Sequence, residues 1–149
     1  MSASAGVTVD QCNPPVAWTA LERQPDAHLI DVRTRPEWSF VGVPDLSTLG
    51  KETILAEWRA FPEMQVSPDF ADAVLGSFGD QVPGDLYFIC RSGARSMEAA
   101  QQVASVCAAR GLETKCINVA EGFEGDLDAD RHRGKLNGWK ARGLAWKQS

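Results

Sequence analysis

A membrane-length apolar run, a basic leader and paired cysteines are all missing from this 149-residue chain. No apolar run approaches the roughly 18 residues that a membrane-spanning helix needs, so no such helix and no membrane partner is expected. Met1 to Gln11 hold neither a basic stretch nor an apolar core, so no secretory signal is expected. The cysteines, at positions 12, 90, 107 and 116, form no C-x-x-C pair and have no histidine cluster beside them. That argues against both a zinc site and a disulfide framework. Histidine is scarce as well: His28 opens a strand-like run and His132 lies in a basic stretch, neither with an obvious metal or base partner. No metal and no organic cofactor is implied. The expected setting is a reducing cytoplasm, with Cys107 and Cys116 as small core residues.

What is present is enough for one domain with a proper core and too little for two. Hydrophobic residues make up 44% and charged residues 23%, the balance of an ordinary globular protein. Residues 1–12 are small and polar and are expected to be loosely ordered, with a single domain over 13–149. Pro14 and Pro15 open a helix reaching about Gln24, and His28 to Val32 reads as a buried strand. Pro36 and Glu37 suit the first turn of a short helix over 35–40. Ser67-Pro68-Asp69 reads as the cap of a helix running to about Phe78, with Phe70, Val74 and Leu75 on one face. Thr114 to Val119 is a further strand. Strands alternating with helices predict an α/β fold: a parallel central sheet of about five strands with helices on both faces.

The most informative stretch is Leu86-Tyr87-Phe88-Ile89-Cys90-Arg91-Ser92-Gly93-Ala94-Arg95-Ser96. Its first four residues suit a buried parallel strand. From Ala94 the period changes to helical, with Met97, Ala100, Ala104 and Cys107 on one side and Gly111 as a stop signal. Cys90 therefore falls at the carboxyl end of a strand and the mouth of a helix, the edge where α/β sheets bind ligands. Gly93 can take φ > 0, letting successive N–H groups converge into an anion-binding nest. The helix dipole, Arg91 and Arg95 add positive charge, a field that favours the nucleophilic thiolate.

Cys90-Arg91-Ser92-Gly93-Ala94-Arg95-Ser96 resembles the active-site loop of the rhodanese family of sulfurtransferases. The resemblance extends upstream to His28-Leu29-Ile30-Asp31-Val32-Arg33-Thr34-Arg35-Pro36-Glu37-Trp38 and downstream to Asn118-Val119-Ala120-Glu121-Gly122-Phe123-Glu124-Gly125, together spanning about residues 15 to 147. It implies a rhodanese-like fold, with a strand somewhere in Thr53 to Trp58 where the sequence alone also allows helix. It implies Cys90 as the nucleophile that takes a sulfane sulfur from an anionic donor such as thiosulfate. The resulting persulfide is then held by the N–H groups of residues 91 to 95. The acceptor is cyanide in the laboratory and a thiol in the cell. Arg91 and Arg95 would attract the donor, while Ser92 and Ser96 can donate to the sulfur or merely cap the helix. Asp31 and Arg33, at the edge of their strand, would support the loop by hydrogen bonds; a surface ion pair worth under about 1 kcal/mol is the plainer alternative.

Three other functions stay open. A cysteine phosphatase or arsenate reductase also uses a nest and an arginine. Such a loop needs five residues between cysteine and arginine, whereas four separate Cys90 from Arg95. By resemblance, the shorter loop suits a persulfide. A sulfur-relay protein would be loaded by a partner protein's persulfide, and an interaction module would have no turnover at all. The tail from Arg131 to Ser149 carries six Lys or Arg and no acid, against nine basic and 20 acidic residues in the rest. No groove- or base-reading motif accompanies it, so no nucleic-acid partner is expected. Leu136, Trp139, Leu144 and Trp146 are expected to pack the tail over the domain.

Overall fold

The computed structural model describes residues 8–149. In chain order the elements are β1 (Asp10–Cys12), α1 (Pro14–Arg23), β2 (Ala27–Asp31), α2 (Arg35–Phe40), β3 (Val43–Pro44), a 3-10 turn at Ser47–Leu49, β4 (Ile54–Leu55), β5 (Arg59–Ala60) and β6 (Gln65–Val66). Then follow α3 (Phe70–Gly76), β7 (Asp85–Ile89), α4 (Ala94–Ala109), β8 (Lys115–Val119) and β9 (Trp146–Lys147). The main sheet has the order β1-β8-β7-β2-β4 and every neighbouring pair is parallel. The five-stranded α/β architecture expected from the sequence is the one observed.

Side-chain alternation along β7 decides which residues face the active helix. Leu86, Phe88 and Cys90 fall on one face with Ile30, Val32 and Cys116, covered by α3 and α4. Tyr87 and Ile89 fall on the other with Leu29, Ile117 and Val119, covered by α1 and by Phe123 and Trp139 of the C-terminal region. Both faces are apolar because parallel strands with crossover helices are buried on both sides. α4 buries Ser96, Ala99, Ala100, Val103, Ala104 and Cys107, an i, i+3, i+4 stripe. The stripe begins at Ser96 and leaves Met97 half-buried, a small rotation from the expected one. Its small residues let the helix lie close over β7 and β8.

Several expectations are corrected. Asp10–Cys12 pair with Ile117–Val119 and are ordered, while residues 1–7 of the expected loose segment lie outside the described residues. An edge strand held by backbone bonds needs no apolar alternation, so nothing in its composition announced it. The strand expected within Thr53 to Trp58 is present as β4, and Ala56 N and Trp58 N carry on beside β2 by donating to Asp31 O and Val32 O. α3 begins at Phe70 with Asp69 at its cap position; Ser67 instead donates its hydroxyl to Glu57 O at 3.3 Å.

The basic tail packs as expected at Trp139, which is fully buried, and at half-buried Leu144. Leu136 is instead exposed, and Trp146 pairs in β9 against β3 while meeting Phe123 edge-on at 6.2 Å. The backbone of the tail holds the segment after β8: Trp139 N donates to Gly122 O at 2.8 Å and Lys140 N to Phe123 O at 3.2 Å. No helix among the described residues is long and apolar enough to cross a membrane.

Candidate active site

Cys90 directly follows β7 and lies beneath the first turn of α4, with only 1% of its surface exposed. Gly93, at φ +112, turns its N–H back onto the Cys90 sulfur at 3.1 Å. A residue with a Cβ would be strained at that angle, so glycine is what allows the loop to fold over the sulfur. Ser96 sits one turn further on, with Oγ 3.2 Å from the same sulfur. Among the described residues the amides of Ser92, Ala94 and Arg95 have no acceptor within the chain. These are the free donors that every helix N-terminus presents, here gathered round a sulfur atom.

A second layer clamps the loop from behind. Phe123 N donates to Cys90 O at 2.8 Å, and Glu124 N and Gly125 N donate to Arg91 O at 3.0 and 3.1 Å. Gly122, at φ +69, makes this approach possible: a Cβ there would lie 2.5 Å from the Arg91 carbonyl and 2.6 Å from Cys90 O. The loop is therefore fixed by main chain of the post-β8 segment, which the tail fixes in turn.

Arg95 sends both terminal nitrogens to Glu37 of α2, at 2.7 and 2.9 Å. Burial pushes the Glu37 carboxyl up, but its bonds with Arg95 and Thr34 outweigh that and hold it at about 2. The same bond raises Arg95 further, so the pair stays charged across the working range of pH. Thr34 and Glu37 also form a capping box, which ties the start of α2 to the partner of Arg95.

Asp31 and Arg33 are fully buried and paired through two nitrogens, the shorter contact being 2.6 Å. They stand on the sheet face opposite Cys90, where Arg33 also donates to Gly42 O at 2.7 Å and lies 4.3 Å above the Phe123 ring. The surface-pair alternative is thereby corrected. Their hydrogen bonds go to each other and to Gly42, and none reaches the cysteine loop. Through Phe123, whose amide holds Cys90 O, the pair underlies the clamp rather than the loop itself.

Beside the loop, reached through Arg91 and Arg95 and not lined by the buried Cys90 itself, opens a cleft of about 470 Å³. Arg91, Arg95 and Arg133 supply its cationic wall, Glu37 and Glu124 its acids, and Phe61 and Met64 of the β5–β6 hairpin an apolar rim. Cys90, Gly93 and Ser96 thus meet at the sulfur, Arg91 and Arg95 line the cleft, and Ser92 and Ala94 lie in the turn between. Among the described residues no cluster of His, Cys, Asp or Glu could hold a metal ion.

Sequence reasoning missed Glu37, Asn118, Phe61 and Arg133. Asn118 alone carried a usable signal: a polar residue at an inward position of the apolar run Cys116 to Val119. The others meet the site from distant parts of the chain, with no spacing to announce them.

No protein-family model matches the chain. The uncharacterized protein RC0915 of Rickettsia conorii is 35% identical over 131 residues, covering 88% of this chain and 91% of that one. The crystal structure of Rv0390 from M. tuberculosis is 42% identical with a TM-score of 0.78, covering 95% of this chain and 98% of its own. Two more distant structures share the fold alone. The polysulfide-sulfur transferase homodimer of Wolinella succinogenes is 19% identical, with a TM-score of 0.54 and 95% and 80% of the chains covered. The As-Sb reductase of Leishmania major is 11% identical, with a TM-score of 0.58 and 85% and 92% covered. Identity and coverage of this order, together with the parallel sheet and the loop at its carboxyl edge, place the chain by descent as well as by shape: it belongs to the family of Rv0390 and the rickettsial RC0915 protein, built on the rhodanese-like fold.

Proposed function

We propose that the protein is a sulfurtransferase that carries a sulfane sulfur as a persulfide on Cys90. The observation that carries this reading is the Cys90 sulfur seated under the α4 N-terminus, with the Gly93 amide and Ser96 hydroxyl against it and Arg91 and Arg95 lining the adjoining cleft. In the first half-reaction the Cys90 thiolate attacks the outer sulfur of thiosulfate. The new bond is Cys90 S–S, the S–S bond of the donor breaks, and sulfite leaves with the electron pair. The terminal sulfur, now anionic, lies toward the free amides of Ser92, Ala94 and Arg95. In the second half-reaction cyanide or a thiolate attacks that sulfur and Cys90 leaves as thiolate. No oxidant or cofactor enters either step.

The cations divide the work. Both terminal nitrogens of Arg95 are bound to Glu37, so Arg95 braces α2 against the start of α4. Arg91 and Arg133 are left to meet an anionic donor; Arg133 spends one nitrogen on Gly125 O at 2.7 Å and keeps the others. The engaged Arg95 and the four-residue gap from Cys90 count against phosphate or arsenate chemistry, where that arginine must clasp the oxyanion. A cleft of about 470 Å³ with Phe61 on its rim is much larger than thiosulfate, and this favours a second reading in which a partner protein's persulfide is the donor.

The test is an intact-mass spectrum after incubation with thiosulfate under non-reducing conditions, beside Cys90→Ala. One added sulfur on the wild type alone, removed by cyanide or a thiol, is the expected result. Absence of the adduct with thiosulfate and with a protein persulfide would leave the phosphatase and interaction readings in its place.

A further inference from the structure

A hydrogen-bonded row runs from exposed Gln11 of the edge strand inward through buried Asn118 and Ser96 to the nucleophile Cys90. Asn118 is 2% exposed, at an inward position of β8 beneath the α4 N-terminus. Its Nδ2 donates to the Gly93 carbonyl at 3.2 Å and to Gln11 Oε1 at 3.1 Å. The Gly93 carbonyl can only accept, so the amide cannot turn over without setting oxygen against oxygen. Asn118 Oδ1 therefore faces Ser96 Oγ, at 2.5 Å.

Ser96 has one hydroxyl proton and three acceptors round it. Asn118 Oδ1 is at 2.5 Å, while the Cys90 sulfur and Gly93 O are both at 3.2 Å. The shortest contact takes the proton, and Ser96 then turns lone pairs toward the sulfur. That arrangement accepts a hydrogen bond from a neutral Cys90 thiol and opposes an anionic sulfur. An anionic sulfur draws the proton round to itself, and the buried Asn118 Oδ1 then loses its partner.

We propose that Asn118 is a positioning residue: it holds the Ser96 hydroxyl proton off the Cys90 sulfur and yields it only when the sulfur becomes anionic. The inference rests on Cys90 being the nucleophile, but it concerns the sulfur's charge and is readable without any sulfur transfer. The charged groups on the elements packed about the loop are Arg91 of the loop itself, Arg95 of α4 with Glu37 of α2, the Asp31–Arg33 pair on the far face of the sheet, and Glu121 and Glu124 after β8. None of them hydrogen-bonds to Asn118 or Ser96, so changes at these two positions leave those charges in place.

The experiment is a pH titration of thiolate ultraviolet absorbance, each variant read against the same variant carrying Cys90→Ala. The subtraction is clean because burial pushes Cys12 to about 11 and Cys116 and Tyr87 to about 12. Asn118→Leu releases the Ser96 proton to the sulfur, and the midpoint is expected to fall by about one pH unit. In a Ser96→Ala background the same change is expected to do nothing. Ser96→Ala alone, with its fold checked by far-ultraviolet circular dichroism, is expected to move the midpoint by less than about 0.3 unit. A rise of about one unit or more in Ser96→Ala would mean that the hydroxyl already donates to the sulfur, and the proposal fails. It fails equally if Asn118→Leu shifts the midpoint by the same amount with and without Ser96. A normal titration in a protein that never takes up sulfur would overturn the proposed function and leave this inference standing.

Discussion

Replacing Glu37 by Gln tests the electrostatic brace beside the cysteine loop. The substitution removes one charge, keeps the shape, and keeps an oxygen for the Thr34 amide that now lies 3.2 Å away. A carboxyl held at about 2 rather than its ordinary 4.5 favours the folded state by about 3 kcal/mol when ionised. The side chains of Arg95 and Glu37 are 16% and 20% exposed, so solvent screens the pair only in part. Because the folded carboxyl titrates lower than the unfolded one, the contribution is fully present above about 4.5 and is lost as pH falls through about 2. Urea unfolding at pH 7 should therefore show Glu37→Gln less stable by about 2–3 kcal/mol, with the gap narrowing steadily below pH 4.5. A difference under about 0.5 kcal/mol at pH 7, or one unchanged at pH 3, would refute the claim that this bidentate pair holds α2 against α4.

Gly122→Ala should displace the cysteine loop, since the added carbon would lie 2.5 Å from the Arg91 carbonyl. A melting temperature lowered by several degrees together with loss of persulfide formation is the expected pair of results. Asp31→Ala leaves the fully buried Arg33 charge uncompensated and should cost about 3–5 kcal/mol in urea unfolding, more than the double change Asp31→Leu with Arg33→Met. Arg133→Gln should raise the thiosulfate concentration for half-maximal loading about threefold or more, an effect that shrinks at high salt. Its maximal rate should hold, because Arg133 reaches the cleft from a loop and makes no hydrogen bond to Cys90 or α4.

Features that depend on neighbouring residues can be read along the chain. The alternation Leu86, Phe88, Cys90 sets the cysteine at a strand end on the helix side, and Gly93 at its fixed offset lets the amide return to the sulfur. The helical stripe of α4 and the strands β2 and β8 were legible for the same reason: each is a local period in apolar residues. Which polar groups meet depends on how distant segments fold together. Glu37 and Arg95 are 58 positions apart, Ser96 and Asn118 are 22 apart, and Gln11 and Asn118 are 107 apart. A polar pair that closes over such a distance leaves no period in the chain. The same holds for Asp31 and Arg33, whose spacing suits an exposed pair equally well. They are buried because Phe123 and the tail close over that face, and Gly42 supplies a carbonyl there. Edge strand β1 went unread since backbone pairing with β8 holds it and asks nothing of its side chains. Local chemistry thus named the nucleophile, while its brace, its clamp and the proton beside it come from segments that only the folded chain brings together.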